Sequence, residues 1–203
     1  MTSQQNLRQQ GRDARRSLSL QERREASHQI CEKLKNHCVS ATKVALYLAM
    51  EEEVDLSNFI AWAALHFKKI YVPVVQKNAD GSKTLQFFRK HPDADFRPGA
   101  FGIQEPVLPQ DVDRIELSDC DVVLIPLVAF DEQLKRIGMG SGLYDRALAE
   151  GLLKKSKRPW FLGCAFECQK VPHIEANPWD VSLDAVMTER YFYQSAEASM
   201  AKA

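Results

Sequence analysis

The apolar run Val122-Val123-Leu124-Ile125-Pro126-Leu127 leads into a loop with glycine at 138, 140 and 142, and then into Leu143-Tyr144-Asp145-Arg146. No other pattern in the chain limits its architecture as strongly. A strand that is apolar throughout has to be covered on both faces, which favours a parallel sheet flanked by helices. Alternate glycines between such a strand and a helix N-terminus let backbone N–H groups approach an anion closely, where the helix dipole favours negative charge. Arg136, placed at the loop mouth, brings a fork of donors suited to phosphate oxygens. Asp145, in the first helical turn, is placed to hold a hydrated magnesium ion beside them. The physical reading is a nucleotide-phosphate site. It is neither a P-loop nor a dinucleotide fingerprint, because no Gly-Lys-Ser/Thr follows and no full Gly-x-Gly-x-x-Gly is present. On spacing alone, a plain flexible loop and an acid favourable to a helix dipole explain the same residues.

Further apolar runs at Lys43–Ala49, Ile70–Val75 and Trp160–Phe166 read as core strands, with shorter candidates at Thr84–Phe88 and Ala185–Thr188. Pro73 suggests a strand end or a bulge at its position. A basic helix is predicted over 5–17. A second runs from Leu20 to about Asn36, opened by a capping box of Ser19 and Glu22. Helical period recurs through Phe59, Ile60, Ala63, Ala64 and Phe67, and again from Leu143 to about Lys154. Residues 76–83 read as a turn and 90–111 as a long irregular connection. The expectation is one domain over 1–203: α/β, three-layer α/β/α, with a mainly parallel, Rossmann-like sheet. Ligands of such folds sit beyond the carboxyl ends of the strands. The acidic loop from Met50 to Val54 and the glycine loop both leave such ends, so they are expected to face one crevice.

The 203 residues carry 27 basic and 27 acidic side chains, so no strong field draws the chain to nucleic acid or acidic membranes. The exception is Arg8, Arg12, Arg15 and Arg16, which read as a solvated helix face or a non-specific RNA-phosphate contact. No apolar run approaches a membrane span and the N-terminus lacks an apolar signal core, so a cytosolic protein is expected. The five cysteines have no zinc-type spacing and are expected reduced and mostly buried. The five histidines are scattered and receive no role. Trp62, Trp160 and Trp179 read as core or rim.

Pro126-Leu127-Val128-Ala129-Phe130-Asp131, Arg136-Ile137-Gly138-Met139-Gly140, Gly142 and Tyr144-Asp145-Arg146 together resemble the signature of the 5-formyltetrahydrofolate cyclo-ligase (methenyltetrahydrofolate synthetase) family. Leu7-Arg8 with Arg16–Ser19, Leu48–Asp55, Phe101–Pro106 and Trp179–Val186 are similar to further family segments in the same order. The resemblance implies an ATP-dependent ligase. ATP phosphorylates the formyl oxygen of 5-formyltetrahydrofolate, N10 closes the ring, and 5,10-methenyltetrahydrofolate, ADP and phosphate form. It implies ATP contacts at Gln4, Arg8, Arg136, Ile137, Gly138, Met139, Gly140, Ser141, Gly142, Leu143 and Tyr144, with catalytic roles for Arg136 and Tyr144. It implies folate contacts at Leu48, Glu53, Phe101, Met139, Gly140, Ser141, Gly142 and Leu143, and magnesium-associated acids at Asp145 and Asp180. Of the three adjacent glutamates 51–53, Glu53 alone aligns with a family position. The chain departs from the family at Gln4 (usually basic), Leu134 (usually a turn glycine), Ser141 (often basic or glycine) and Leu143 (usually aromatic). At Leu134 the turn is expected to differ.

The expected partners are ATP and a reduced folate, with magnesium, no nucleic acid, no membrane and a monomeric chain. Two rivals accompany this reading. One is a non-catalytic nucleotide- or RNA-binding protein on the same fold. The other is an enzyme related in fold alone, such as a sugar-phosphate isomerase or acyl-CoA transferase.

Overall fold

Residue parity along the central strands decides which side of the sheet each side chain joins. In β7 (Val122–Pro126), Val122 and Leu124 enter one apolar cluster, while Val123 and Ile125 enter another. Both faces are therefore covered, as a strand apolar at every position requires. The computed structural model describes residues 3–66, 68–91, 93–99, 104–107, 113–153 and 158–195. Four helices stand out among them: α1 (Ser3–Ser17), α2 (Leu20–His37), α3 (Ser57–Leu65) and α4 (Leu143–Leu153). α2 and α3 cover the first face through Ile30, Leu34, Phe59 and Ala63, and α4 covers the second through Ala147 and Leu148. The capping box at Ser19 is formed: its hydroxyl accepts from Glu22 N at 3.2 Å, and the Glu22 carboxylate accepts from Ser19 N at 2.7 Å.

The main sheet comprises β1 (Lys43–Ala45), β2 (Lys69–Lys77), β3 (Lys83–Arg89), β6 (Arg114–Ile115), β7, β10 (Trp160–Cys164), β11 (Ala185–Met187) and β12 (Phe192–Gln194). Its order is β12-β11-β10-β7-β1-β2-β3-β6. The pairs β2–β1, β1–β7, β7–β10 and β10–β11 are parallel, and the pairs toward both edges are antiparallel. The mainly parallel α/β architecture matches the expectation. Asp121 anchors its centre by accepting from Thr42 N, Thr42 Oγ1 and Lys43 N at 2.8–2.9 Å.

Several local expectations change. The first strand ends at Ala45 rather than Ala49, because Leu46 leaves the ladder after bonding Tyr71 O. Pro73 lies inside β2, opposite Phe87, and not at a strand end. Its parallel neighbour β1 has already ended at Ala45↔Tyr71, so no ladder bond is demanded on that side. The connection 90–111 contains a two-stranded ribbon of β4 (Phe96–Pro98) and β5 (Gln104–Pro106). A second ribbon, β8 (Ala129–Phe130) with β9 (Arg136–Ile137), separates β7 from the glycine loop. Gly81 (φ +83°) turns the β2–β3 hairpin as the 76–83 reading anticipates. Phe67 and Lys154, the expected last helical positions, lie outside the described residues.

Candidate active site

The glycine loop reaches its place through the β8–β9 ribbon. The buried Asp131 carboxylate organises that ribbon's turn by accepting from Gln133 N, Lys135 N and Ile174 N at 2.9–3.0 Å. Within the turn Leu134 takes φ +62° with its side chain buried. This is the left-handed conformation that glycine adopts freely. Leucine thus stands here in a glycine-type conformation. Beyond the ribbon, Gly140 (φ +100°) and Gly142 (φ +65°) carry the chain into α4 through conformations that L side chains rarely adopt.

α1 lies along this loop. A Cβ on Gly11 would overlap the Val128 carbonyl oxygen, so glycine is what permits the close approach. Leu7 packs on Ala129, Ile137, Val171 and Ile174. Gln4 Nε2 donates to Glu175 O at 3.0 Å, and Arg8 Nε donates to Gly138 O at 2.9 Å. Gln4, Arg8 and Arg12 recur every four residues on one helical face, and that face lines a cleft of about 450 Å³.

The cleft opens at the carboxyl ends of β1 and β7, where the acidic segment and the glycine loop do share one crevice. Lining it are Gln4, Arg8, Leu48, Glu53, Arg136, Ile137, Gly138, Met139, Gly140, Ser141, Gly142, Leu143, Tyr144, Asp145 and Asp180. Each of these was singled out in the sequence. Phe101, the remaining candidate, lies outside the described residues.

Two arginines are more buried than expected. Arg136 stands on β9 at the entrance to the glycine loop and lines the cleft, but its side chain is only 3% exposed and donates to Asp145 Oδ1 at 2.5 Å. Asp145, read as a metal-associated acid, thus also neutralises a buried guanidinium. Arg15 is not on a solvated face. It is buried beneath the acidic turn, 3.8 Å from Glu52, which also accepts from Arg16 at 2.7 Å. Of the α1 arginines, Arg8 and Arg12 line the cleft, Arg15 is buried, and Arg16 stays on the solvated face, paired with Glu52.

Glu53 is the one of the three adjacent glutamates that lines the cleft. Its Oε2 accepts from Met50 N at 3.0 Å. Burial pushes its pKa up, and the Met50 N–H and Arg15 pull against that shift. The Tyr144 hydroxyl is buried and has no hydrogen-bond partner among the described residues. Burial, and next the charge of Glu53, raise its pKa and keep it an O–H donor. Asp180 accepts from Asn177 N at 2.8 Å and Nδ2 at 3.1 Å, closing a tight turn at the rim.

Sequence reasoning missed Tyr47, Pro73, Val75, Leu85, Glu105, Asn177 and Trp179 as lining residues. Pro73, Val75 and Leu85 follow strand patterns that do not separate a core face from a cleft wall. Glu105 did carry a signal, since it lies in the Phe101–Pro106 segment. It is 8% exposed and accepts from Val75 N at 3.1 Å.

A family model for the 5-formyltetrahydrofolate cyclo-ligase family matches residues 1–189. The chain belongs to the 5-formyltetrahydrofolate cyclo-ligase family. Among its relatives, the 5-formyltetrahydrofolate cyclo-ligase of Escherichia coli strain K12 is 34% identical over 180 residues, covering 87% of this chain and 95% of that protein. The Haemophilus influenzae protein of the same name is 36% identical over 144 residues, covering 70% and 73%. The solved structure of Aquifex aeolicus 5,10-methenyltetrahydrofolate synthetase superposes with a TM-score of 0.78 at 31% identity, covering 95% of this chain and 93% of that one. The cyclo-ligase match spans α1, the acidic segment, the glycine loop and the Asp180 turn together, so the whole cleft falls within it. Among the described residues no helix is long and apolar enough to cross a membrane.

Proposed function

We infer that this chain closes 5-formyltetrahydrofolate to 5,10-methenyltetrahydrofolate in an ATP-dependent reaction. The formyl oxygen attacks the γ-phosphorus and ADP leaves. N10 then adds to the activated carbon and loses its proton. Phosphate departs with the former formyl oxygen, so that a C–N bond replaces a C–O bond. The observation that carries this reading is the convergence of the acidic segment and the glycine loop on one cleft. A pterin site and a phosphate site must adjoin if an oxygen of one ligand is to attack the other.

We assign Glu53 and Leu48 to the pterin, with Glu53 accepting its N–H groups, and Phe101 to stacking on the folate. Arg8, Arg136 and the backbone of Gly138 to Gly142 face the polyphosphate, while Met139 to Leu143 also touch the folate where the two ligands meet. Tyr144 donates its hydroxyl to an oxygen that gains charge as the phosphoryl group transfers, the kind of contact that dominates phosphoryl transfer. Three arginines (Arg8, Arg12, Arg136) face four carboxylates (Glu53, Glu105, Asp145, Asp180) among the described cleft residues. Such a lining fits a polyanion best when it arrives with a divalent cation. Asp145 and Asp180 would hold magnesium together with phosphate oxygens, a donor set of one or two carboxylates typical of that ion. Bound there, it neutralises phosphate charge.

The test is absorbance of the methenyl chromophore with purified protein, 5-formyltetrahydrofolate, magnesium and ATP. An ATP-dependent rise, lost on chelation and in Arg136→Ala, is expected. ATP binding without any rise would return the lead to a non-catalytic nucleotide-binding protein.

A further inference from the structure

We propose that Trp179 is the platform on which the base of ATP stacks, a role that rests on the reading of the cleft given above. The argument begins with the direction of α1. Gln4 is tied to Glu175 O, Arg8 to Gly138 O, and Arg12 lines the cleft one turn further on, so successive turns of one helix mark successive stations along the cleft. From Gln4 to Arg15 the helix advances roughly 16 Å at 1.5 Å per residue. The pterin acid Glu53 adjoins the far station, and the glycine loop occupies the middle. The γ-phosphate has to meet the formyl oxygen near the loop. The remainder of the nucleotide therefore points away from Glu53, toward Gln4 and the 175–180 segment.

At that end the wall presents Trp179, 70% exposed yet lining the cleft. An aromatic ring on the wall of a cleft offers a ligand ring a flat apolar face to stack on. The backbone that carries the indole is preorganised. Trp179 is a central residue of a turn closed by Asp180 N–H to Asn177 O at 3.0 Å, with the Asp180 carboxylate holding Asn177 N and Nδ2. Of the exposed large apolar residues, Trp179 and Met139 line the cleft among the described residues, and Trp179 alone of the two is aromatic and lies at the Gln4 end, away from the glycine loop. A stacked purine recovers the exposed ring without needing any hydrogen-bond readout.

The experiment measures binding of ATP, inorganic tripolyphosphate and 5-formyltetrahydrofolate to the full-length wild type, Trp179→Ala and Trp179→Phe, together with KM and kcat. Trp179→Ala is expected to bind ATP about 5- to 100-fold more weakly. Its KM for ATP should rise with kcat nearly unchanged, and tripolyphosphate and folate affinities should be unaltered. Trp179→Phe should recover most of the loss. ATP should quench indole fluorescence in the wild type and not in the Phe variant. An equal loss for tripolyphosphate would show that Trp179 shapes the phosphate cradle, and a loss confined to folate would place the folate ring on it. Either result overturns the proposal. Full ATP-dependent turnover with unchanged ATP affinity in Trp179→Ala also overturns it while leaving the reaction intact. A wild type that binds no ATP overturns both.

Discussion

Leu134 sets two effects against each other. Its left-handed backbone costs about 1–2 kcal/mol relative to glycine. Its side chain is 3% exposed and packed in the cluster with Phe130 and Leu183, where removal of a leucine typically costs about 2–5 kcal/mol. Packing wins, so Leu134→Gly should destabilise the protein by roughly 1–3 kcal/mol in a urea titration despite relieving the backbone. Tyr144→Phe removes a buried hydroxyl that lacks a partner among the described residues, so stability should hold. Its kcat should fall on the order of 100-fold, as for loss of one donor to developing charge. Glu53 carries a pH signature. Burial raises its folded pKa above the unfolded value, so its protonated form favours the native state and that advantage is lost as pH rises through the raised pKa. Glu53→Gln should therefore be more stable than the wild type at neutral pH. The difference should vanish below the ordinary glutamate range near ~4, while folate affinity is lost throughout. Thermal melts across pH read the sign. Loss of stability in Glu53→Gln at neutral pH would contradict it.

At the scale of elements, α1 is held by a contact that one methyl group tests. Alanine at Gly11 would gain about 1 kcal/mol of helix propensity. Its Cβ would, however, meet the Val128 carbonyl, a backbone atom that cannot rotate aside. Gly11→Ala should therefore lose about 1–2 kcal/mol net and weaken nucleotide binding while the sheet persists, which calorimetry and a far-ultraviolet spectrum separate. Elements with strong period or cap chemistry were legible: α2 announces itself through Ser19 and Glu22, and the central strands through unbroken apolar runs. The β4–β5 and β8–β9 ribbons were not, because two or three residues cannot display a period. Arg15 was misread for another reason. A long cation on a helix surface is usually solvated, and its burial depends on Glu52 arriving from a loop distant in sequence.

For the whole molecule, the crevice was legible because parallel strands place their carboxyl ends together, and the two loops leaving those ends carry the least core-like residues. The wall contributed by β2 and β3 was not, since Pro73, Val75 and Leu85 are indistinguishable from core without the topology. The same topology has a consequence for lifetime. α1 docks on Val128, Gly138 and Glu175, contacts that close long loops and are therefore favoured late in folding and early in local opening. A nucleotide that bridges Arg8 to the glycine loop holds the helix shut by mass action. Protease attack at the Ser17–Ser19 junction should accordingly slow in the presence of ATP and magnesium, which timed digestion would show. The supply of substrate then governs how long each copy survives as well as how fast it works.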